Sequence, residues 1–270
     1  MTGIEWTNET WNPVTGCAKV SQGCKNCYAE GVAHRFWAKQ YPPVGGRPRR
    51  FTDVQCHPDR LDEPLRWRKP RRVFVNSMSD LFHDDVPDEF IGQVFAVMGR
   101  APQHTFQVLT KRPERMRRFC AWTARTGNPP LTNVWLGVSV EDQRASDERI
   151  PLLLQTPAAV RVLSCEPLLG PLEFSDVTRR SDAVHQLGKP ALDGIGWVIV
   201  GGESGPAARP CDVAWVRSIV EQCRAAGGPA FVQDVERGRR AGTLDELIEY
   251  LRVIQQLDIV HHEGGGSFEP

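Results

Sequence analysis

The sequence predicts an α/β protein, a full or partial (β/α) barrel with mostly parallel strands. Three observations carry that expectation. Six short runs, each rich in β-branched or aromatic residues, end in small, polar or charged residues: VFVNSMSD (73–80), TFQVLTKR (105–112), VWLGVSVED (134–142), VRVLSCEP (160–167), WVIVGGES (197–204) and AFVQD (230–234). Near-continuous apolar runs of this length suit strands buried on both faces, as in a parallel sheet. Helical patterns lie between them, which implies right-handed crossovers. Finally, about six to eight such units in a chain of 270 residues favour a barrel. An open doubly wound sheet is the structural rival.

The elements can be taken in order. One strand is expected before Cys17 and another at 50–56. The segment 87–102 sets Phe90, Ile91, Val94, Phe95 and Met98 on one helical stripe. The segment 212–228 starts on an Asp212 cap and stops at glycine. A last helix, 243–257, begins with Thr243 and Glu246 at capping-box spacing. Residues 175–195 lack periodicity and read as an inserted loop. The expected organisation is one barrel-like domain, 1–258, carrying a three-cysteine loop at 15–30, and a disordered tail at 259–270.

Composition narrows the function classes. Lys plus Arg equals Asp plus Glu at 33 each, so no global field draws the chain to nucleic acid or membrane. The first residues have neither the basic start nor the apolar core of a signal peptide. No apolar run approaches the ~18 residues that span a bilayer. The expectation is a cytoplasmic protein without membrane attachment, in which eight cysteines are reduced thiols or metal ligands.

In a barrel, chemistry collects where the strands end. Those ends supply Asn76, Ser77 and Asp80, then Thr110, Lys111 and Arg112, then Ser139, Glu141 and Asp142. Later ends supply Ser164, Cys165 and Glu166, then Gly201, Gly202, Glu203 and Ser204, then Gln233 and Asp234. Glu203, Lys111, Glu166 and Glu141 are the candidate catalytic groups. Gly201, Gly202 and Ser204 leave backbone N–H groups free to approach an anion, and with Ser77 and Asp80 form the candidate cofactor-binding set. The run Asp80, His83, Asp84, Asp85 imitates a metal cluster, but aspartates at a helix entry are commonly caps.

Cys17, Cys24 and Cys27 stand at C-x6-C-x2-C spacing. A zinc site needs a fourth ligand, which His34, Cys56 or His57 would have to supply. Three cysteines also suit a 4Fe-4S cluster with one iron left open to a cofactor or substrate. The helix expected after Cys27 would turn its N-terminal N–H groups toward the cluster's negative charge.

A three-cysteine loop after the first strand of a (β/α) barrel, ending C-x2-C, resembles the radical S-adenosylmethionine (radical SAM) superfamily. The usual spacing there is C-x3-C-x2-C with an aromatic before the third cysteine; here six residues separate Cys17 from Cys24, and Asn26 precedes Cys27. Six blocks in order, TGCAKVSQGCKNCYAE, PLRWRKPRRVFVNSMSDLFHDDVP, HTFQVLTKRPERM, WLGVSVED, LSCEPLLGP and GGESGPAARP, also resemble an uncharacterised phage and prophage family described by its three-Cys motif, a domain of unknown function. The radical SAM resemblance implies a 4Fe-4S cluster on Cys17, Cys24 and Cys27, SAM as cofactor and an external electron donor. It also implies cleavage of SAM to a 5′-deoxyadenosyl radical. The phage setting suggests DNA base modification or repair, with a phage-encoded partner protein as a candidate.

Basic clusters at 47–50, 66–72, 111–118 and 237–240, with Trp37, Trp67 and Trp122 in or near them, provide local charge and stacking surfaces for a nucleic-acid or nucleotide substrate. The bland reading is solvated arginines on helix faces. Two other classes stay open: a zinc-stabilised nucleic-acid-binding module, and a barrel hydrolase or lyase using Glu141, Glu166 and Glu203.

Overall fold

The computed structural model describes residues 4, 6–175, 177, 192–205, 207–227 and 230–233. The helix expected at 243–257, the tail at 259–270, the basic stretch 237–240, Asp234 and most of the 175–195 insertion lie outside the described residues.

Seven parallel strands form the main sheet. They are β1 (Glu9–Trp11), β4 (Arg72–Val75), β5 (Thr105–Thr110), β6 (Val134–Ser139), β7 (Val160–Cys165), β8 (Trp197–Gly201) and β9 (Ala230–Gln233). Their order in space follows the sequence, with no reversal. A doubly wound sheet reverses direction at a switch point and so carries helices on both faces. Without a reversal, right-handed crossovers put every helix on one face. β1 and β9 end the sheet, which makes it a partial barrel among the described residues.

The expected strand before Cys17 is β1. The expected strand at 50–56 takes a different place. Only Gln55–Cys56 (β3) is extended, and it pairs antiparallel with Val14–Thr15 (β2) outside the main sheet. This small ribbon flanks the three-cysteine loop. His57 follows it and bonds through Nε2 to Thr15 Oγ1 at 2.7 Å.

The outer face is covered by α2 (Asp88–Arg100), α3 (Pro113–Arg125), α4 (Gln143–Leu154) and α5 (Val213–Ala225), whereas α1 (Tyr28–Gln40) buries Ala29, Ala33 and Trp37 in a separate cluster with Phe51. Local chemistry sets their starts. Asp142 and Asp212 cap α4 and α5, accepting from Ala145 N and Ala214 N at 2.8 Å. Pro113 opens α3, where its fixed φ suits the first turn. The stripe of α2 buries Phe90, Ile91, Val94, Val97 and Met98, with Val97 in place of the half-buried Phe95. No helix among the described residues is long and apolar enough to cross a membrane.

Period-2 alternation splits the strands between two cores. Val73, Val75, Phe106, Val108, Leu136, Val138, Leu163 and Val200 turn outward into the main helix-covered core. The alternate residues Phe74, Leu109, Trp135, Val162, Trp197 and Ile199 gather on the concave face with Trp6. Trp6 lies 4.8 Å from Phe74, and Trp135 packs edge-on to Trp197 at 5.5 Å between ring centroids. The next row up is polar: Ser139 on β6 is the register partner of Ser164 on β7.

Gly137 makes room on that face. A Cβ there would sit 2.5 Å from Val162 O and 2.6 Å from Leu109 Cδ2. Gly137→Ala should therefore force a strand or the Leu109 side chain to shift, costing about 1–3 kcal/mol as overpacking does. Chemical denaturation of the variant beside the parent protein checks this. Unchanged stability would mean that the floor is loosely packed.

Candidate functional site

A cavity of about 560 Å³ opens on the concave side. Cys17, Cys24 and Cys27 line it, together with Asn76, Ser77, Asp80, Lys111, Arg112, Ser139, Ser164, Glu166, Gly202, Glu203 and Ser204 above a floor of Trp6, Phe74 and Leu109. Of the sequence-predicted residues, the structure thus brings together the three cysteines, the Gly202–Ser204 turn, Ser77, Asp80, Lys111, Glu166 and Glu203. It leaves Glu141 and Gly201 off the cavity wall.

The three-cysteine loop leaves β2 through Gly16, whose φ of +96° suits glycine. A side chain there would also meet Asp53 O at 2.7 Å. The loop passes through a short 3-10 turn, Gln22–Cys24, and enters α1 at Tyr28. All three thiols are free and half-buried. Of the other five cysteines, four are buried and none lines the cavity.

Three strand-end carboxylates hold this loop, each with an arginine. Asp80, after β4, is 6% exposed and accepts from Phe82 N, Thr110 Oγ1, Lys111 N and Arg112 Nη1. Arg112 in turn donates to Cys17 Sγ at 3.6 Å and Ala18 O at 3.1 Å. Burial and the nearby Asp80 charge push the Cys17 thiol up to about 11, against the opposing pull of Arg112. Asp80, one of the candidate cofactor-binding residues of the sequence, thus lines the cavity while also accepting from these four groups of the protein.

Glu141, after β6, is only 1% exposed and pairs with Arg149 at 2.8 Å. The Ser21 hydroxyl also reaches it, and Gly23 packs so closely that a Cβ would lie 3.0 Å from its carboxyl carbon. Burial pushes this carboxyl up, but Arg149 and Ser21 outweigh burial and leave it below its usual value. Glu203, after β8, is gripped by Arg209 through Nη2 at 2.6 Å and Nε at 2.9 Å, and by Asn26 Nδ2 at 2.9 Å. Asn26 also donates to Ala207 O, and Arg209 to Gln22 O. The residue before Cys27, where the resembled superfamily carries an aromatic, is therefore the tie between two loops. Arg112, Arg149, Arg209 and Asn26 carry this arrangement; the strand-end reading named Arg112 without a role and did not reach Arg149, Arg209 or Asn26.

The remaining candidates sit as follows. Ser77 Oγ donates to Asn12 Oδ1 at 3.2 Å, and Ser77 O accepts from Tyr28 Oη at 2.5 Å. Asn76, at φ 63°, fixes the end of β4 and lines the cavity. Its Oδ1 accepts from Val14 N, while its Nδ2 is buried without a partner among the described residues. His83 is buried and Asp84 and Asp85 are exposed, so that run does not converge on a site. For zinc, neither His34 on the exposed side of α1, nor Cys56, nor His57 lines the cavity.

Do these residues fit an iron–sulfur cluster and SAM? The donor type and number do: three thiols on one loop, facing one cavity. Ligands of a single zinc, at about 2.3 Å from the metal, lie within ~4 Å of one another. Among the described residues no three His, Cys, Asp or Glu side chains are drawn together for one ion. The unsatisfied Asn76 Nδ2 is a buried donor suited to an anionic or carbonyl oxygen on a cofactor.

Removing one partner of a buried ion pair strands a charge. Arg149→Met should cost about 3–5 kcal/mol, and the double variant Glu141→Met/Arg149→Met should recover most of it. Denaturant titration of both variants checks this; equal losses would mean that the pair itself stabilises the fold. Glu141 and Glu203 are both held below the usual 4.5. Their contribution is therefore present above about pH 4.5 and lost as pH falls through their lower folded values. Stability measured against pH should fall in that acid range, and less steeply in Glu203→Gln.

No curated protein matches the chain. Among solved structures, spore photoproduct lyase complexed with dinucleoside spore photoproduct is similar at TM-score 0.45 and 14% identity, over 90% of this chain and 70% of that one. A double mutant of spore photoproduct lyase with bound AdoMet and dinucleoside spore photoproduct is similar at TM-score 0.46 and 13% identity, over 92% and 72%. A family match covers residues 1–241, and the chain belongs to that family, described as Protein of unknown function (DUF5131).

Proposed function

We propose that this chain is a radical SAM-type enzyme acting on a nucleobase or nucleotide. The observation that carries the reading is the gathering of Cys17, Cys24 and Cys27, alone among the eight cysteines, on the wall of one concave cavity. Cys17, Cys24 and Cys27 would hold a 4Fe-4S cluster. Such a cluster, reduced by an external electron donor, would supply the one-electron reductive cleavage of SAM that generates a hydrogen-abstracting 5′-deoxyadenosyl radical.

The chain's own residues do the rest. Asn76 and the Gly202–Ser204 turn present donors to SAM from the cavity wall, and the Ser77 hydroxyl, which donates to Asn12, keeps its lone pairs as acceptors there. Arg112 holds Cys17 in place and keeps a positive charge beside it. Such a hydrogen bond to a ligating sulfur tunes a cluster's potential. Lys111 and Glu166 line the same cavity as candidate proton-transfer groups. The apolar floor of Trp6, Phe74 and Leu109 keeps water from the reacting centre.

Anaerobic purification, reconstitution with iron and sulfide, and metal analysis test the reading. About four irons per chain and broad absorbance near ~400 nm are expected. SAM and dithionite should then yield 5′-deoxyadenosine. Alanine at Cys17, Cys24 or Cys27 should each lower iron content and abolish SAM cleavage, whereas Cys56→Ala should retain both. One tightly held zinc in place of iron would overturn the proposal.

A further inference from the structure

The chain has no net charge, yet residues 17–50, which carry the three-cysteine loop and α1, hold seven Lys and Arg residues against one carboxylate, Glu30. Three of the seven are engaged: Lys19 with Glu30, Arg47 with Asp53, and the buried Arg49 with Thr15. Lys25, Arg35, Lys39 and Arg50 are exposed, with no carboxylate partner among the described residues. The same segment holds four of the five large hydrophobic side chains that stand exposed among the described residues: Val20, Tyr28, Phe36 and Val44. Scattered singly, such residues need no explanation; gathered in one segment among unpaired cations, they mark an interaction surface.

Helical spacing draws part of this set together. Ala29, Ala33 and Trp37 recur every four residues and are buried with Phe51. Tyr28, Val32, Arg35, Phe36 and Lys39 then fall on one flank beside that stripe, at i, i+4, i+7, i+8 and i+11. Cys27 is the N-cap of α1, and Tyr28 lines the cavity as well as reaching solvent. A body docked along this flank stands one residue from the third thiol.

Composition decides between two classes of occupant. An apolar and aromatic centre with arginine and a polar rim is how protein interfaces are built. Val20, Val32 and Val44 carry neither a charge for a phosphate nor a ring for a base, which strand-binding surfaces combine. Unpaired cations on such a surface call for a partner of negative charge.

We infer that the exposed flank of α1, centred on Phe36 with Arg35 and Lys39, docks an acidic one-electron carrier protein that reduces the cluster. This rests on the reading of the three-cysteine loop as an iron–sulfur site. The step moves one electron: the carrier is oxidised by one, the cluster is reduced by one, and no proton or covalent bond changes.

Calorimetric titration of the iron-loaded full chain tests this with an acidic flavodoxin, an acidic ferredoxin and a single-stranded DNA oligonucleotide. At least one carrier should bind, and more weakly as salt rises, as attraction between opposite charges does. Arg35→Glu/Lys39→Glu should weaken that binding about tenfold or more and flatten its salt dependence. Phe36→Ala should weaken it about tenfold with the salt dependence kept, as loss of an aromatic anchor does. All three side chains are exposed, so iron content and dithionite-driven SAM cleavage should stay at the parental level while cleavage driven by the reduced carrier falls. Binding of neither carrier, or parental affinity in both variants, overturns the inference. Variants that lose the oligonucleotide and keep the carrier overturn it too, and make the flank a nucleic-acid surface. Normal cleavage with dithionite but no carrier binding sinks the docking inference alone. No iron, or no cleavage with dithionite in the parent chain, sinks the enzymatic reading and the electron-transfer role with it.

Discussion

The attachment of one loop to the open end of the sheet is the constraint on which the site depends. The loop 15–30 has little structure of its own, a 3-10 turn of three residues and the first turn of α1. Its shape is imposed from outside by Asp80 with Arg112, Glu141 with Arg149, and Glu203 with Arg209. Each carboxylate stands just after a different strand, and each pair touches a different part of the loop: Cys17 and Ala18, Ser21 and Gly23, then Gln22 and Asn26. Buried ion pairs add little net stability, because desolvation offsets attraction. What they supply here is definition, since each charge has few other places to satisfy itself.

That arrangement explains why the three thiols share a wall. Cys17 is pinned by its own backbone bond to Phe51 O at 2.8 Å and by Arg112 at its sulfur. Cys27 follows Asn26, whose amide is locked between Glu203 and Ala207 O. Cys24 closes the 3-10 turn between these two anchors, with the Ser21 hydroxyl 3.9 Å from its sulfur. A loop held at both ends and at its middle presents its three thiols to one cavity.

The concave face works by contrast with the convex one. Helices cover the outer residues of each strand, so those positions need only be apolar and well packed. The inner residues answer to several demands at once. They grade from tryptophans and phenylalanine at the floor, through Ser139 and Ser164, to charged residues at the mouth. Gly137 in the middle shows how tightly the floor is fitted.

Much of this was legible in the sequence, for physical reasons that act locally. Buried strands must be apolar, helix starts need Asp142 or Asp212, and polar residues must follow each strand, so the β-then-α order and the list of strand-end groups could be read directly. The cysteine loop was equally plain, as three thiols within eleven residues. What each strand-end group does was not. Glu141 and Glu203 look alike in sequence to Glu166, yet two are neutralised by arginines eight and six residues away in the chain. Asn26 reaches across 177 positions to Glu203, and Trp6 meets Phe74 only because β1 pairs with β4. The sequence by itself determined the alternation of strands and helices and the chemical inventory at the strand ends, because those follow from burial period and local capping. Only the tertiary structure decided which charges brace the loop and which line the cavity, because electrostatic pairing depends on distance in space.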